Sequence, residues 1–248
     1  ATLLNVWFLD PSTKMNPNLE YAQGIPGRNT GRGTGIIDTV GFIKVTKAIG
    51  WLQGSPECTA EFQQGIKDWF RAYLDWLLTS ENGRDEAKSG NNHESWYLAQ
   101  TAAYALFAGD QERARKALEL GLERIAAQIE PDGRQPLELK RTKSYHYSLY
   151  NLDALFTLAE FGPAVGVDMF GYRTGDGRSL RAALDYMAPY FQSGTKWPLQ
   201  EIKGIKQPDE LLASLLRRAA IAYNAPEYEE MIHDAKLEKS RFQLLWPR

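Results

Sequence analysis

With 248 residues, 43% of them hydrophobic, the chain is long enough to bury a sizeable core. A formal charge of -2 creates no global field of the kind that marks nucleic-acid or membrane-surface binders, so neither partner is expected, and a polyanion has to be met by a local basic site. The single cysteine, Cys58, excludes an intrachain disulfide framework and a cysteine-based metal cluster, and no apolar run approaches the ~18 residues of a membrane span.

Apolar spacing is helical almost throughout, which predicts an all-α fold. The chain opens inside what reads as a helix, without an initiator Met or a signal-like segment, so further helices are expected ahead of Ala1. The stretch 15–35 breaks the rhythm, with glycines 24, 27, 31, 33 and 35 set beside Gln23, Arg28 and Arg32. Two readings fit it: backbone N–H groups and guanidiniums gathered for carboxylates, or a surface loop. No GxGxxG follows a strand and no GK[ST] is present, which argues against a dinucleotide site and a P-loop.

Segment 36–52 places Ile36, Val40, Ile43, Lys47 and Ile49 at helical intervals and closes at Gly54-Ser55-Pro56. A helix over 57–78 carries Phe62, Ile66, Trp69, Phe70, Tyr73, Leu74 and Leu77 on one stripe and gives way to a polar loop at 79–90. From Asn92 a helix runs to Gly109-Asp110, where Asp110 caps a second helix reaching about Gln128, and the pair forms an αα-hairpin. Pro131-Asp132-Gly133 reads as a turn, with irregular chain to Thr142. Further helices are predicted over 144–161, 178–191, 208–223 and 226–236, with a glycine-rich connection at 162–177 and a loop at Lys196-Trp197-Pro198. Hairpins following one another predict an α/α toroid, incomplete at its start, in a single domain over 1–248.

Two clusters could carry chemistry. Asn91, Asn92 and His93 bring two amides and an imidazole to the positive end of a helix, although an N-cap followed by a packed histidine explains the same residues. Between Glu138 and Ser148, Lys140, Arg141 and Lys143 stand with Tyr145, His146 and Tyr147 at a loop-to-helix transition. Cations there oppose the helix dipole, an arrangement expected where anions bind. Arg141 and Tyr147 would lie on different faces of a helix, so Arg141 is expected ahead of the first turn, folded back. Seven Trp and twelve Tyr suit a core and sugar-ring platforms alike, Trp96, Tyr97 and Trp197 among them. Histidines only at 93, 146 and 233, without an HExxH pair, predict a site that uses no metal.

The stretch NNHESWYLAQTAAYALFAGD (91–110) closely resembles the Asn-Asn-His helix of the alginate-lyase superfamily. PDGRQPLELKRTKSYHYSLYNLDAL (131–155) resembles its second catalytic segment, and WFLDPSTKMNPNLEYAQGIPGRNTGRGTGIID (7–38) is similar to its substrate-groove region. The resemblance implies a periplasmic or secreted α/α toroid that cuts 4-linked polyuronates, alginate or glucuronan, by β-elimination without a cofactor. It implies Asn92 and His93 at the substrate carboxylate and the proton, Arg141 neutralising the carboxylate, and Tyr147 as acid or base with Tyr145 and His146 in adjacent slots. It also implies that Asn91, Gln23, Arg28, Arg32, Trp96, Tyr97, Lys140, Lys143, Tyr145 and His146 contact an anionic polysaccharide or oligosaccharide, with the preceding helices of the same protein as a further partner. Two rivals are a glycosidase using carboxylates among Glu94, Asp132, Glu138 and Asp153, and a non-catalytic polyuronate-binding protein.

Overall fold

A computed structural model describes residues 1–191, 195–233, 237 and 242–247. Among them the chain is all-α, as the periodicity predicts, with two isolated β-bridges and no strand. The helices are α1 (Thr2–Phe8), α2 (Phe42–Trp51), α3 (Ala60–Thr79), α4 (Glu81–Glu86), α5 (Asn92–Ala108), α6 (Gln111–Gln128), α7 (Pro136–Leu139), α8 (Ser144–Ala159), α9 (Gly162–Val165), α10 (Leu180–Met187), α11 (Glu210–Ala222), α12 (Pro226–His233) and α13 (Phe242–Leu245). The chain divides into two compact units, Ala1–Glu119 with Ala164–Gly166, and Leu120–Pro163 with Val167–Arg248.

In the first unit the predicted stripe of α3 packs inward. Ile66, Trp69, Phe70, Tyr73, Leu74 and Leu77 are buried, each contributing roughly 1.5–3 kcal/mol if fully removed from water. Phe8 meets Trp69 edge-on at a centroid distance of 4.7 Å, which brings α1 into the same core. The helix predicted over 36–52 is broken, because a 3-10 turn over Gly33–Thr39 precedes α2. Thr39 is the reason: its hydroxyl lies 2.7 Å from Tyr73 Oη and 2.8 Å from Gln100 Oε1, and its carbonyl accepts from Tyr104 Oη at 3.0 Å. A carbonyl committed to a buried phenol is diverted from the helical ladder. The polar stretch expected as a loop at 79–90 contains α4, which starts where Ser80 Oγ accepts from Gly83 N at 3.0 Å.

In the second unit α8 runs over Ser144–Ala159, close to the predicted limits, and α7 forms a turn inside the stretch expected to be irregular. A buried amide cluster joins them. Asn151 Nδ2 donates to Gln128 Oε1 at 3.0 Å and to Gln135 Oε1 at 2.8 Å, and Gln135 Nε2 donates to Ser148 O at 3.0 Å. Asn151→Ala removes a donor shared by two buried acceptors, so a loss of about 2 kcal/mol is expected, seen as a fall of several degrees in the unfolding midpoint. An unchanged midpoint would mean the cluster contributes nothing to stability.

Two arginines on α11 are also buried. Arg217 forks onto Glu229 and gives Nη1 to Trp246 O at 3.1 Å. Arg218 pairs with Asp153 at 2.6 Å and Glu160 at 2.7 Å, its guanidinium lies 4.9 Å from the Trp246 ring, and Trp246 Nε1 donates to Glu160 Oε1 at 3.0 Å. The helix predicted over 226–236 is seen as Pro226–His233, and positions 234–236 lie outside the described residues.

Candidate active site

In the first unit the start of α5 organises the residues. Asn91 Oδ1 accepts from His93 N at 3.0 Å, and Glu94 Oε2 accepts from Gly90 N at 3.0 Å, so these two side chains cap the helix much as a capping box does. Asn92 is completely buried. His93 keeps 19% of its side chain exposed, and its Nδ1 lies 2.7 Å from Oε1 of Glu86, a carboxylate on α4 that is 1% exposed. Glu86 was not among the predicted site residues.

The 15–35 segment is folded on itself. Gln23, at a positive φ of 51°, donates from Nε2 to Asp38 Oδ1 at 2.9 Å. It accepts from Arg32 Nη2 at 3.2 Å on its side chain and from Arg32 Nε at 3.1 Å on its carbonyl. Glycine is required at 31 and 35 for close approach, since a Cβ would stand 1.9 Å from Glu20 O at the first and 2.5 Å from Ala22 Cβ at the second. The N–H groups of Gly24 and Gly35 bond to Tyr21 O and Arg32 O inside the loop. The cradle of free N–H groups expected here is therefore corrected at those glycines, and the exposed guanidiniums of Arg28 and Arg32 are what the loop offers an anion.

Trp96 and Tyr97, expected as sugar platforms, are each only 6% exposed. Tyr97 Oη donates to Leu77 O at 3.1 Å, and burial pushes its phenol up to about 12. Neither ring has a face open to a saccharide, and both are packing residues.

In the second unit Arg141 lies between α7 and α8, its N–H bonded to Glu138 O at 3.0 Å. The side chain folds back as the spacing requires, with Cζ 3.9 Å from the centroid of the Tyr147 ring. Segment 197–204 straps the start of α8. Ser144 N donates to Gln200 O at 3.1 Å, Ile202 N to Thr142 O at 3.0 Å, and Trp197 Nε1 to Ser144 Oγ at 2.7 Å. Glu201 Oε2 accepts from His146 N at 3.2 Å, so a carboxylate of the protein itself offsets the cations around this helix start. Glu201, too, was missed by the sequence. His146 is exposed and stacks on Tyr150 at 5.9 Å and 10°. Lys140 is exposed and Lys143 half-buried.

The slot adjacent to Tyr147 is corrected. Tyr145 is 2% exposed and packs edge-on to Trp197 at 5.4 Å. Burial, reinforced by the charges of Asp209 and Glu201, raises its phenol far above the ordinary tyrosine range. A phenol so placed keeps its proton and does not face solvent, whereas Tyr147 is half-buried and the more exposed of the two.

The family profile described as Alginate lyase matches residues 1–197. The chain belongs to the alginate lyase family. A crystal structure of an alginate lyase from Bacteroides ovatus superposes with a TM-score of 0.88 at 39% identity, covering 93% of this chain and 62% of that one. A histidine-to-alanine variant of alginate lyase A1-III complexed with a tetrasaccharide superposes with a TM-score of 0.61 at 19% identity, covering 79% of this chain and 56% of that one, and at that identity shows the fold alone. This family member thus spans less than two thirds of the solved chains it matches. Its fold class is the α/α toroid expected from the succession of hairpins. A search of curated proteins gave no match.

Proposed function

We propose that this alginate-lyase family member cleaves 4-linked polyuronates, alginate foremost, by β-elimination, leaving an unsaturated uronate at the new end. The observation that carries the reading is the stacking of Arg141 on Tyr147 at 3.9 Å, which puts a fixed positive charge against the ring of a half-buried phenol. The name of the Bacteroides ovatus relative supports alginate as the substrate class.

The chemistry needs these residue types. The C5 proton of a uronate is a poor acid while the neighbouring carboxylate keeps its charge, so neutralising that charge comes first. Arg141 stabilises the aci-carboxylate as it develops, an electrostatic contribution that is commonly the largest in such sites. A base then takes the proton, and an acid protonates the departing glycosidic oxygen as the C4–O bond breaks and the C4–C5 double bond forms. On mannuronate and glucuronate, which have the same configuration at C4 and C5 and so place proton and leaving group on one side, Tyr147 serves as both. On guluronate, the C5 epimer, where they are opposed, His93 is the base and Tyr147 the acid.

The hydrolase reading is disfavoured by what three of its four candidate carboxylates do. Glu94 caps α5, Asp132 holds Arg134 Nε at 2.7 Å, and Asp153 holds Arg218 Nη1 at 2.6 Å. Incubating the full chain with mannuronan, guluronan and glucuronan tests the proposal through the ultraviolet absorbance of the product double bond. A rise on at least one polymer is expected, whereas new reducing ends without absorbance would establish hydrolysis.

A further inference from the structure

We propose that Glu86 is a positioning residue: its carboxylate keeps the proton of His93 on Nδ1 and so leaves Nε2 as the ring atom that exchanges a proton with substrate. This rests on the lyase reading above. The two side chains come from different helices of the same unit, α4 and α5, and meet at 2.7 Å through Glu86 Oε1 and His93 Nδ1. A carboxylate only accepts, so the hydrogen between them sits on the ring nitrogen, and the bond made by one imidazole nitrogen decides the state of the other. The exposures differ in the direction such a role needs: 1% for the glutamate and 19% for the histidine, so the orienting group is dry while the ring still reaches solvent.

Stability does not account for this glutamate. Its second oxygen, Oε2, is buried and meets no hydrogen-bond donor among the described residues. A carboxylate taken out of water with one oxygen unsatisfied costs stability, and replacing such groups by apolar ones of similar volume is often neutral or stabilising. Local rules broken in this way are expected where function demands it. The placement is also firm, because Ser80 caps α4 and Asn91 caps α5 on either side of the contact.

Nitrogen-15 NMR of the imidazoles in the full chain, with His93 assigned by loss of its signals in His93→Ala, reads the proton directly, and kinetics on guluronan, the polymer on which His93 is the base, read its consequence. The wild type is expected to carry the proton on Nδ1. Glu86→Gln, which keeps an accepting oxygen of the same reach, is expected to retain Nδ1–H and a kcat within about tenfold of wild type. Glu86→Leu should move the proton toward Nε2 and lower kcat about 10²-fold, with KM changed less than about threefold and the unfolding midpoint unchanged or higher. Neutral His93 protonated on Nε2 in the wild type, or Glu86→Leu with wild-type kcat and tautomer, would overturn the assignment. Absence of unsaturated product from every polymer would instead remove the lyase reading, and the NMR result would still decide what Glu86 does to His93.

Discussion

Tyr147→Phe is expected to lower the rate of unsaturated product formation at least about 10³-fold, the range lost when a positioned proton-transfer group is removed. The substitution is informative because of where Arg141 sits. A phenyl ring keeps the face on which the guanidinium rests 3.9 Å from the ring centroid, so the arginine stays in place and the loss reports on the hydroxyl alone. Circular dichroism and the unfolding midpoint are expected to match wild type, since Tyr147 is only half-buried. His93→Ala is expected to give a comparable loss on guluronan. Near-wild-type product from purified Tyr147→Phe would end the assignment of this residue, and the tyrosine rejected here on burial, Tyr145, would not replace it.

Arg141→Ala is expected to reduce kcat by about 10²–10³-fold, the effect typical of deleting one group that stabilises charge developing in the transition state. Arg141→Lys should recover little of this. A lysine ammonium is a compact, strongly hydrated charge on a flexible stem, whereas the guanidinium is a plane that lies on the phenol and presents a fork of donors to a carboxylate. A lysine variant within about threefold of wild type would show that charge alone suffices and that the stacking is incidental. A variant in which only KM rises would place Arg141 in substrate binding and outside the neutralising step.

The parts of this arrangement legible in the sequence are those set by local rules. The limits of α5 follow from Asn91 at one end and Gly109, at a φ of 86°, at the other, and the return of Arg141 onto Tyr147 follows from a spacing that a helix cannot satisfy on one face. What escaped depends on partners distant in the chain or on helices that carry little periodic signal. The six residues of α4 include no large apolar side chain, so nothing in the pattern distinguishes this helix from a polar loop, and Glu86 was hidden with it. Glu201 meets His146 across 55 positions of sequence through a backbone N–H, for which composition gives no sign. Trp96 and Tyr97 were placed on a groove because aromatic residues next to a motif invite that reading. From Asn92 to Ala105 α5 is buried on nearly every side, leaving no open face for them to occupy.

The contacts of Trp246 set a practical boundary on how this protein can be handled. Its carbonyl and indole cover two guanidiniums that α11 holds almost wholly out of water, Arg217 at 1% and Arg218 at 3% exposure. A stop codon introduced ahead of this tryptophan would strip an acceptor from one guanidinium and an aromatic cover from the other, in a unit whose α8 also carries Tyr147. A chain cut ahead of Trp246 therefore loses contacts in the interior of this unit, where local changes are poorly tolerated.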